Sequence, residues 1–210
     1  NGYSWNQSGL SYTSVKAITA IGANLFAGTA EGVWRSNDNG NNWSQGNTVI
    51  RWEFTNALAV SGSDLFAGTN NGAYLSTDNG TSWTQVNNGL TNTFVGALAV
   101  SGSNIFAGTG NGVFLSTNNG SSWTSVSSGL TNTEIHALIL IGTNLFAGTS
   151  DGVFLSTNNG TNWTQIKSGD YIASLAYHGT DLYAGGWQKL FLSKNNGTTW
   201  TQCNVGLSGK

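Results

Sequence analysis

A unit of about forty residues occurs five times along this chain. The copies begin at Ser14, Phe54, Phe94, Glu134 and Tyr171, so that successive copies start 40, 40, 40 and 37 residues apart. The third and fourth copies share the string GVFLSTNNG, at 112–120 and 152–160, without a change. A supersecondary unit of this length cannot bury its apolar faces alone, so the copies must pack on one another. The repeat therefore predicts one continuous array.

Each copy is predicted to form four short β-strands, A to D. In the third copy they cover Phe94–Val100, Ile105–Gly108, Gly112–Leu115 and Trp123–Val126. The strands are rich in β-branched and aromatic residues, and the joints between them are Gly, Asn and Ser. Radial packing of such four-stranded sheets is the architecture of a β-propeller. The sequence thus predicts an all-β fold, a five-bladed β-propeller with four antiparallel strands in each blade.

The whole chain, residues 1–210, is expected to be one domain. The blades are predicted at 14–53, 54–93, 94–133, 134–170 and 171–210. Residues 1–13 read as a sixth copy of strand D, which leaves one surplus outer strand. The segments around Trp5 and Trp200 compete for the outer position of the fifth blade. We expect Trp200 to hold it, because the ordinary C–D turn closes a shorter loop and costs less entropy. The Trp5 strand would then pair outside it or exchange with a neighbouring molecule.

The joint between strands C and D carries one motif in every copy. It reads Ser36-x-Asp38-x-Gly40-x-x-Trp43 in the first copy, and the equivalent Asx positions are Asp78, Asn118, Asn158 and Asn195. This motif resembles the Asp-box, or bacterial neuraminidase repeat, of sialidases and of many non-enzymatic propellers. The resemblance covers residues 14–210 in register. It implies a β-propeller in which the boxes lie on the face opposite the ligand.

The residues of the motif themselves favour a structural role. The Asp or Asn side chain can accept a hydrogen bond from a backbone N–H two residues on. Glycine supplies a positive φ, and tryptophan buries a large apolar surface against the blade. Because Asn replaces Asp in three of the five copies, the position requires an acceptor oxygen and not a charge.

Charge and cysteine usage exclude several classes of function. A net charge of −2 with seven Lys and Arg residues argues against nucleic acid, which requires clustered cations, and against an anionic membrane surface. The single cysteine, Cys203, stands where other copies have Val or Ile, so we expect a buried apolar side chain. No motif indicates a cofactor or a metal site, since His136 and His178 fall at opposite ends of strand A in different blades. The string Gly148-Thr-Ser-Asp-Gly152 matches a nucleophile motif only by chance, because no helix follows it.

The residues that differ between copies lie on the face that carries the B–C loops and the D–A crossovers. Variation at the tips of a constant scaffold is typical of a binding surface, and drift at solvated loops is the alternative interpretation. The candidate ligand-binding residues on this face are Asn56, Asn71, Asn92, Asn111, Asn132, Glu134, His136, Asp151, Tyr171 and Trp187. Phe54 and Phe94 add aromatic faces there.

Catalysis has little support in the sequence. The resemblance to sialidases implies three arginines around a carboxylate, but the chain has only Arg35 and Arg51. A glycosidase requires two facing carboxylates, and a pair such as Glu53 and Glu134 stays open as an alternative. We therefore expect a non-enzymatic carbohydrate-binding module, lectin-like and multivalent. A protein-interaction or structural module of a larger secreted bacterial protein is the second hypothesis. The expected location is secreted or at the cell surface, with a glycan or an extracellular protein as partner.

Overall fold

The computed structural model describes residue 10, residues 13–46 and residues 48–203, and it contains five antiparallel sheets of four strands each. Blade 1 contains β1 (Val15–Ile21), β2 (Asn24–Thr29), β3 (Gly32–Ser36) and β4 (Ser44–Gln45). Blade 2 contains β5 (Thr55–Ser61), β6 (Asp64–Thr69), β7 (Gly72–Ser76) and β8 (Thr84–Gln85). Blade 3 contains β9 (Val95–Ser101), β10 (Asn104–Thr109), β11 (Gly112–Ser116) and β12 (Thr124–Ser125). Blade 4 contains β13 (Ile135–Ile141), β14 (Asn144–Thr149), β15 (Gly152–Ser156) and β16 (Thr164–Ser168). Blade 5 contains β17 (Ile172–His178), β18 (Asp181–Gly186), β19 (Lys189–Ser193) and β20 (Thr201–Gln202).

The strands of each sheet follow one another in chain order, from inner strand A to outer strand D. The predicted five-bladed all-β propeller is confirmed. A short 3-10 helix, Thr48–Ile50, lies in the crossover from blade 1 to blade 2. Strand D of blade 3 is shorter than predicted, because the N–H of Trp123 bonds to the carbonyl of Asn88 in the preceding blade. Within the described part of the chain, no helix is long and apolar enough to span a membrane.

Alternate residues of each strand point to opposite sides of a blade. In blade 2, Leu65, Tyr74 and Trp83 pack on blade 1, and we call this side the front face. Phe66 and Ala73 pack on blade 3, and we call this side the back face. Both faces are apolar, so a blade buries its apolar surface only when it has a neighbour on each side.

Four hydrophobic clusters fill the four interfaces between consecutive blades. Each combines the back face of one blade with the front face of the next. Phe26, Phe66, Phe106 and Phe146 hold the same back-face position in blades 1 to 4, and all four are fully buried. Burial of one such side chain contributes about 1.5–3 kcal/mol. The blade interfaces, rather than single blades, therefore stabilise the fold.

A glycine in strand B brings neighbouring blades into close contact. A Cβ added at Gly68 would lie 2.6 Å from a methyl of Val95, the first residue of the inner strand of blade 3. The same relation joins Gly28 to Thr55 at 2.7 Å and Gly108 to Ile135 at 2.5 Å. The fourth interface repeats it between Gly148 and Ile172, at 2.8 Å. We call this glycine the notch and the side chain that fills it the knob.

Every inner strand contains a β-bulge directly after its knob. In blade 2, Thr55 pairs with Thr69 and Ala57 pairs with Gly68, which leaves Asn56 as the extra residue. The other four blades have the same shift in register. The five extra residues are Lys16, Asn56, Gly96, His136 and Ala173. A bulge redirects the side chain that it carries, and these five residues all line one pocket.

The C–D turn of blade 2 shows how the repeated motif works. Asp78 Oδ1 accepts hydrogen bonds from the Ser76 hydroxyl at 2.9 Å and from the N–H of Ser82 at 2.8 Å. The prediction of an N–H two residues on was wrong, since the N–H lies four residues on. The Ser76 hydroxyl explains this, because it occupies the inside of the turn and accepts from the N–H of Gly80 at 2.8 Å.

The asparagine turns have the same geometry. Asn118 Oδ1 accepts from the Ser116 hydroxyl and from the N–H of Ser122, both at 2.9 Å. The turns at Asp38, Asn158 and Asn195 repeat this pair of bonds. One acceptor oxygen, supplied equally by a carboxylate or an amide, therefore holds all five turns.

In blades 2 to 5 the tryptophan that ends the motif packs on the preceding blade. Trp123 Nε1–H donates to the carbonyl of Val86, and Trp163 Nε1–H donates to the carbonyl of Val126, both at 2.7 Å. In blade 1 the Nε1–H of Trp43 donates instead to the carbonyl of Gly40 in its own turn.

The first and last blades do not form the contact that joins the other pairs. Among the described residues, no hydrophobic cluster lies between blade 5 and blade 1. Val15 is 47% exposed and Ile18 is 67% exposed, although the equivalent knob Val95 is fully buried. Over its described residues the propeller is therefore open between these two blades.

The outer position of blade 5 is occupied by β20, directly after Trp200, as predicted. Of the surplus strand predicted at residues 1–13, only Leu10 and Thr13 are among the described residues, so that prediction lies outside them. Cys203 is half-buried rather than buried as predicted. Its equivalents Val86 and Val126 are half-buried too, because this position lies at the rim of a blade interface.

Asp78→Asn is expected to change the free energy of unfolding by no more than about 0.5 kcal/mol, as is usual for a surface position. In the wild type the Ser82 hydroxyl donates to Asp78 Oδ2, and in blade 3 the Asn118 amide donates to Ser122 instead, so the hydroxyl only has to reverse its role. These hydrogen bonds, led by that from Ser82, hold the pKa of Asp78 below 3.8, but solvent screens the benefit at so exposed a site. Urea denaturation at neutral pH measures the effect, and a larger loss than that of Ser76→Ala would contradict the acceptor role.

Trp123→Ala is expected to cost about 3–5 kcal/mol, because it removes a buried aromatic side chain. Trp123 is only 4% exposed, whereas Trp43 is half-buried on the open front face of blade 1. Trp43→Ala is therefore expected to cost clearly less. Equal losses in chemical denaturation at low protein concentration would show that the face of blade 1 is covered like the others.

Candidate functional site

The bulges of the five inner strands meet at one pocket on the axis. Its volume is about 360 Å³, within the range of pockets that hold small ligands. It is lined by Lys16, Phe54, Asn56, Phe94, Gly96, Ile135, His136, Tyr171 and Ala173. Every blade contributes its bulge residue. The pocket is therefore composite and has no fivefold symmetry.

Aromatic rings form much of its wall. Phe54, Phe94 and Tyr171 hold the position two residues before the bulge in three different blades. The ring of Tyr171 lies between those of His136 and Trp187, with centroid distances of 4.7 Å and 5.5 Å. These rings fix the orientation of Tyr171.

Trp187 stands outside the pocket and is 81% exposed. The B–C turn of blade 5 differs from those of the other four blades. In each of those turns a threonine hydroxyl donates to the carbonyl of a glycine, as Thr109 does to Gly112 in blade 3. Blade 5 has Gly186 and Lys189 at these two positions, and the positive φ of the turn falls on Gln188. This turn places the Trp187 ring against Tyr171.

A chain of three polar side chains holds His136. The Ser150 hydroxyl donates to Glu134 Oε2 at 2.6 Å, and His136 Nε2 lies 2.9 Å from the same hydroxyl oxygen. Because the hydroxyl proton is already given to Glu134, the hydrogen-bond network assigns the imidazole proton to Nε2. Nδ1 is then an acceptor.

The protonation of His136 follows from its surroundings. Burial lowers the pKa of His136 below its ordinary value of 6.5, and the nearby Glu134 carboxylate opposes this effect but is the weaker influence. The imidazole is therefore neutral in the folded protein at neutral pH.

The remaining polar groups in the pocket come from blades 1 and 2. Asn56 Nδ2 donates to Asn70 Oδ1 at 3.0 Å and to the carbonyl of Val95 at 3.3 Å. These bonds orient the amide and leave its Oδ1 as an acceptor. Lys16 is exposed and supplies an ammonium group to the lining of the pocket.

Only some of the candidate residues meet in this pocket. Asn56, His136 and Tyr171 line it, and Glu134 and Trp187 contact residues that line it. Asn92 and Asn132 do not line it, because each uses its Oδ1 in its own crossover loop, where it accepts the N–H of Phe94 or of Glu134.

The three candidates in the B–C loops also lie outside the pocket lining. The backbone N–H groups of Asn71, Asn111 and Asp151 donate to threonine hydroxyls within their own turns. The Asp151 carboxylate also accepts the N–H of Gly169 at 3.2 Å. These residues shape the loops.

The pocket contains residues that the candidate set omitted. Variation among the copies was a signal for three of them, because the position of Asn56 and His136 holds Lys16, Gly96 and Ala173 in the other copies. Ile135 gave no such signal, because as a knob it has an ordinary apolar side chain.

The acidic residues considered for catalysis lie apart from this lining. Glu53 accepts a hydrogen bond from Asn71 at 3.3 Å, and Glu134 bonds to Ser150. Among the described residues that line the pocket, there is no Asp or Glu.

Ser150 stands between a histidine and a carboxylate, whereas a hydrolytic triad requires the histidine in the middle. Within the described residues, no group of three or more His, Cys, Asp or Glu side chains is placed to hold a metal ion.

Comparison with known proteins agrees with the fold. No family model and no curated protein matches the chain. The extracellular domain of a one-component system from B. thetaiotaomicron superposes with a TM-score of 0.80 at 21% identity, over 93% of this chain and 29% of that one. An ancestral GH74 enzyme superposes with a TM-score of 0.77 at 24% identity, over 93% of this chain and 32% of that one. YCF48, in complex with the D1 peptide, gives 0.66 at 18% identity, over 95% of this chain and 69% of that one. The chain thus spans about a third of the first two structures, and these similarities establish the β-propeller fold.

Proposed function

We propose that this chain is a non-enzymatic module that binds a carbohydrate in the axial pocket. One observation carries the proposal. The scaffold repeats almost without change, whereas the bulge position that faces the pocket holds Lys16, Asn56, Gly96, His136 and Ala173 in the five blades. A pocket that joins five different bulge residues offers an asymmetric set of contacts, which can fix the orientation of an asymmetric ligand.

The lining suits a sugar. Phe94 and Tyr171 offer apolar ring faces, on which the C–H face of a pyranose can pack. Asn56 Oδ1 and His136 Nδ1 are acceptors for hydroxyl groups, and Lys16 is a donor. A mixed apolar and polar wall of this kind fixes both the position and the orientation of a small ligand.

The expected stoichiometry differs from that of a ring of equal sites. Because all five blades contribute to one pocket, we propose one ligand per chain instead of five equivalent sites. Multivalent binding would then require several chains or a longer array.

Two features support binding over hydrolysis. Cleavage of a glycosidic bond requires two carboxyl groups that flank it, and the described lining of the pocket has none. The Glu134 carboxylate accepts a hydrogen bond from the Ser150 hydroxyl, and through this hydroxyl it holds His136 in place.

An extracellular location and a place within a larger protein agree with this proposal. The similar structures include the extracellular domain of a sensor, of which this chain would cover 29%. The chain has 8% charged residues, so its surface must be built from Asn, Ser, Thr and Gly, and such a neutral polar surface suits a module that meets glycans.

A peptide is the second candidate ligand. YCF48, a structure of similar fold, is bound to the D1 peptide. Tyr171 and Trp187 could receive an apolar side chain at the open rim of the pocket. A peptide panel tested beside the glycans separates the two candidates.

Tyr171→Ala is expected to weaken binding of a sugar identified on a glycan array by at least about tenfold, or about 1.4 kcal/mol, because it removes a wall of the pocket. Trp187→Ala should weaken binding less, since Trp187 acts by holding the Tyr171 ring. Trp52→Ala is the matched control, because Trp52 is 71% exposed and does not line the pocket. Isothermal titration calorimetry gives the affinities and the stoichiometry of one.

Two results would contradict this proposal. Equal loss of affinity in Trp52→Ala would place the site elsewhere. Release of reducing ends from the bound glycan, abolished in Glu134→Gln, would show that the chain is a glycosidase.

The stability of the protein is expected to fall as the pH drops below 6.5, in part through His136. The pKa of His136 is lowered in the folded state, so the unfolded chain takes up the proton first and gains stability as the pH falls. His136→Gln should therefore reduce this pH dependence. Urea midpoints measured above and below pH 6.5 test this. If the midpoint of His136→Gln changed with pH as much as that of the wild type, the assigned neutral state of His136 would be contradicted.

A further inference from the structure

Blade 1 departs from the repeat at two positions on its back face, which packs on blade 2. Arg35 stands where the other blades have leucine, and Gly46 stands where they have Val86, Val126, Ile166 and Cys203. In the interfaces that follow blades 2, 3 and 4, this leucine and this Val or Ile both pack on the apolar cluster. Among the described residues, the cluster between blades 1 and 2 has neither side chain. A guanidinium group and a glycine therefore replace an apolar edge.

These two departures border a cleft at the outer rim of the interface, which we call the Arg35 cleft. Its volume is about 200 Å³, and it is lined by Arg35, Ser44, Gln45, Gly46, Gly80 and Thr81. The first four of these residues belong to blade 1, and the last two belong to the C–D turn of blade 2. A Cβ at position 46 would collide with the carbonyl oxygen of Gly80, so the glycine lets the backbone of blade 1 approach this turn. The cleft shares no described lining residue with the axial pocket.

The backbone at Gly46 also lacks bonds that its counterpart in blade 2 makes. Val86 donates its N–H to strand C, and its carbonyl accepts the indole N–H of Trp123. Within the described part of the chain, Gly46 makes neither of these bonds. The indole N–H of Trp83, like that of Trp200, is buried without an acceptor there. The rim between blades 1 and 2 is thus less completely bonded than the rim between blades 2 and 3.

The Arg35 guanidinium has neutral partners. Its Nε and Nη2 lie 3.3 Å and 3.0 Å from Asn24 Oδ1, and its Nη1 lies 3.5 Å from Thr81 Oγ1. Every Asp and Glu of the chain is among the described residues, and none of them forms an ion pair with Arg35. A guanidinium group has five N–H donors, so two of them remain for a ligand. Hydrogen bonds between a guanidinium and an anion are stronger than those to a neutral acceptor.

We propose that the Arg35 cleft binds a small ligand through its carboxylate group. The planar fork of an arginine matches the two oxygens of a carboxylate, and the hydroxyl groups of Ser44 and Thr81 lie in the same lining. A volume of about 200 Å³ equals that of about seven water molecules at ~30 Å³ each, which suits a small acid. The fold does not require the arginine, because leucine fills the same position in the other four blades.

Titration of the chain with glucuronate, followed by the chemical shifts of backbone amides in NMR spectra, tests this proposal. Saturable shifts are expected at Gly46, Gly80 and Thr81. Arg35→Leu, which restores the residue of the other blades, should weaken this binding by at least about tenfold, since it removes a charge-assisted hydrogen bond. Arg35→Lys should also weaken it, because an ammonium group keeps the charge but not the fork.

Lys16→Asn is the matched control for charge, because it removes the cation of the axial pocket and introduces the residue that blade 2 has there. The shifts at the Arg35 cleft should be unchanged in this variant. Shifts that appear only at axial residues such as Gly96 and vanish in Lys16→Asn would place the carboxylate in the axial pocket. That result would overturn the Arg35 site and leave the proposed function of the axial pocket intact.

Two further probes identify the source of the carboxylate. Glucose lacks the carboxylate and should produce no saturable shift at the cleft, so binding of glucose as tight as that of glucuronate would overturn the proposal. Glutarate carries carboxylates without a sugar ring. Tighter binding of glucuronate than of glutarate would identify a sugar acid as the ligand, and equal binding would identify a simple organic acid. The absence of saturable binding by both acids would overturn the site.

The melting temperature separates a binding role of Arg35 from a structural one. Without added acid, Arg35→Leu is expected to melt at the same temperature as the wild type or higher, because leucine suits the apolar interface. Added glucuronate should raise the melting temperature of the wild type, since a ligand that binds only the folded chain stabilises it, and should raise that of Arg35→Leu less. A clear fall in the melting temperature of Arg35→Leu without acid would show that Arg35 stabilises the interface, and would refute the proposal.

Discussion

The contact between the back face of one blade and the front face of the next is the interaction on which this structure depends. No blade has a core of its own, because both faces of a four-stranded sheet are apolar. The notch glycine makes the contact possible, since any side chain there would collide with the knob of the next blade. The chain has 30 glycines and no proline, a composition that suits such close approach of backbones.

The same inner strand serves the core and the pocket with adjacent residues. Ile135 is a fully buried knob, and the next residue, His136, lies in the pocket because the bulge redirects it. The pair Thr55 and Asn56 repeats this division in blade 2. Residues at the bulge can therefore vary without a change in packing, whereas the residue one position earlier is β-branched in every blade: Val15, Thr55, Val95, Ile135 and Ile172. This explains how a nearly uniform array carries a pocket with five different wall residues.

The sequence predicted what the repeat period and the alternation of strands determine. Strand order, the C–D turns and the position of Trp200 follow from residues that recur in each copy. The bulge has no such signature, so Asn56 and His136 were identified by their variation alone. Variation also pointed to Asn92 and Asn132, but each of these accepts a hydrogen bond within its own crossover instead. The half-exposed Val15 was also beyond prediction. It obeys the same pattern as Val95, and only the packing of the neighbouring blade distinguishes the two.

The gap between the described faces of blades 5 and 1 adjoins the pocket. Lys16 follows the knob Val15 directly, and Ala173 follows the buried knob of blade 5, Ile172. Both Lys16 and Ala173 line the pocket. A ligand held by Lys16 would therefore restrain the inner strand that carries the exposed Val15. Because a ligand that binds only the folded chain stabilises it by mass action, occupation of the pocket is expected to stabilise the blade that has the most exposed front face.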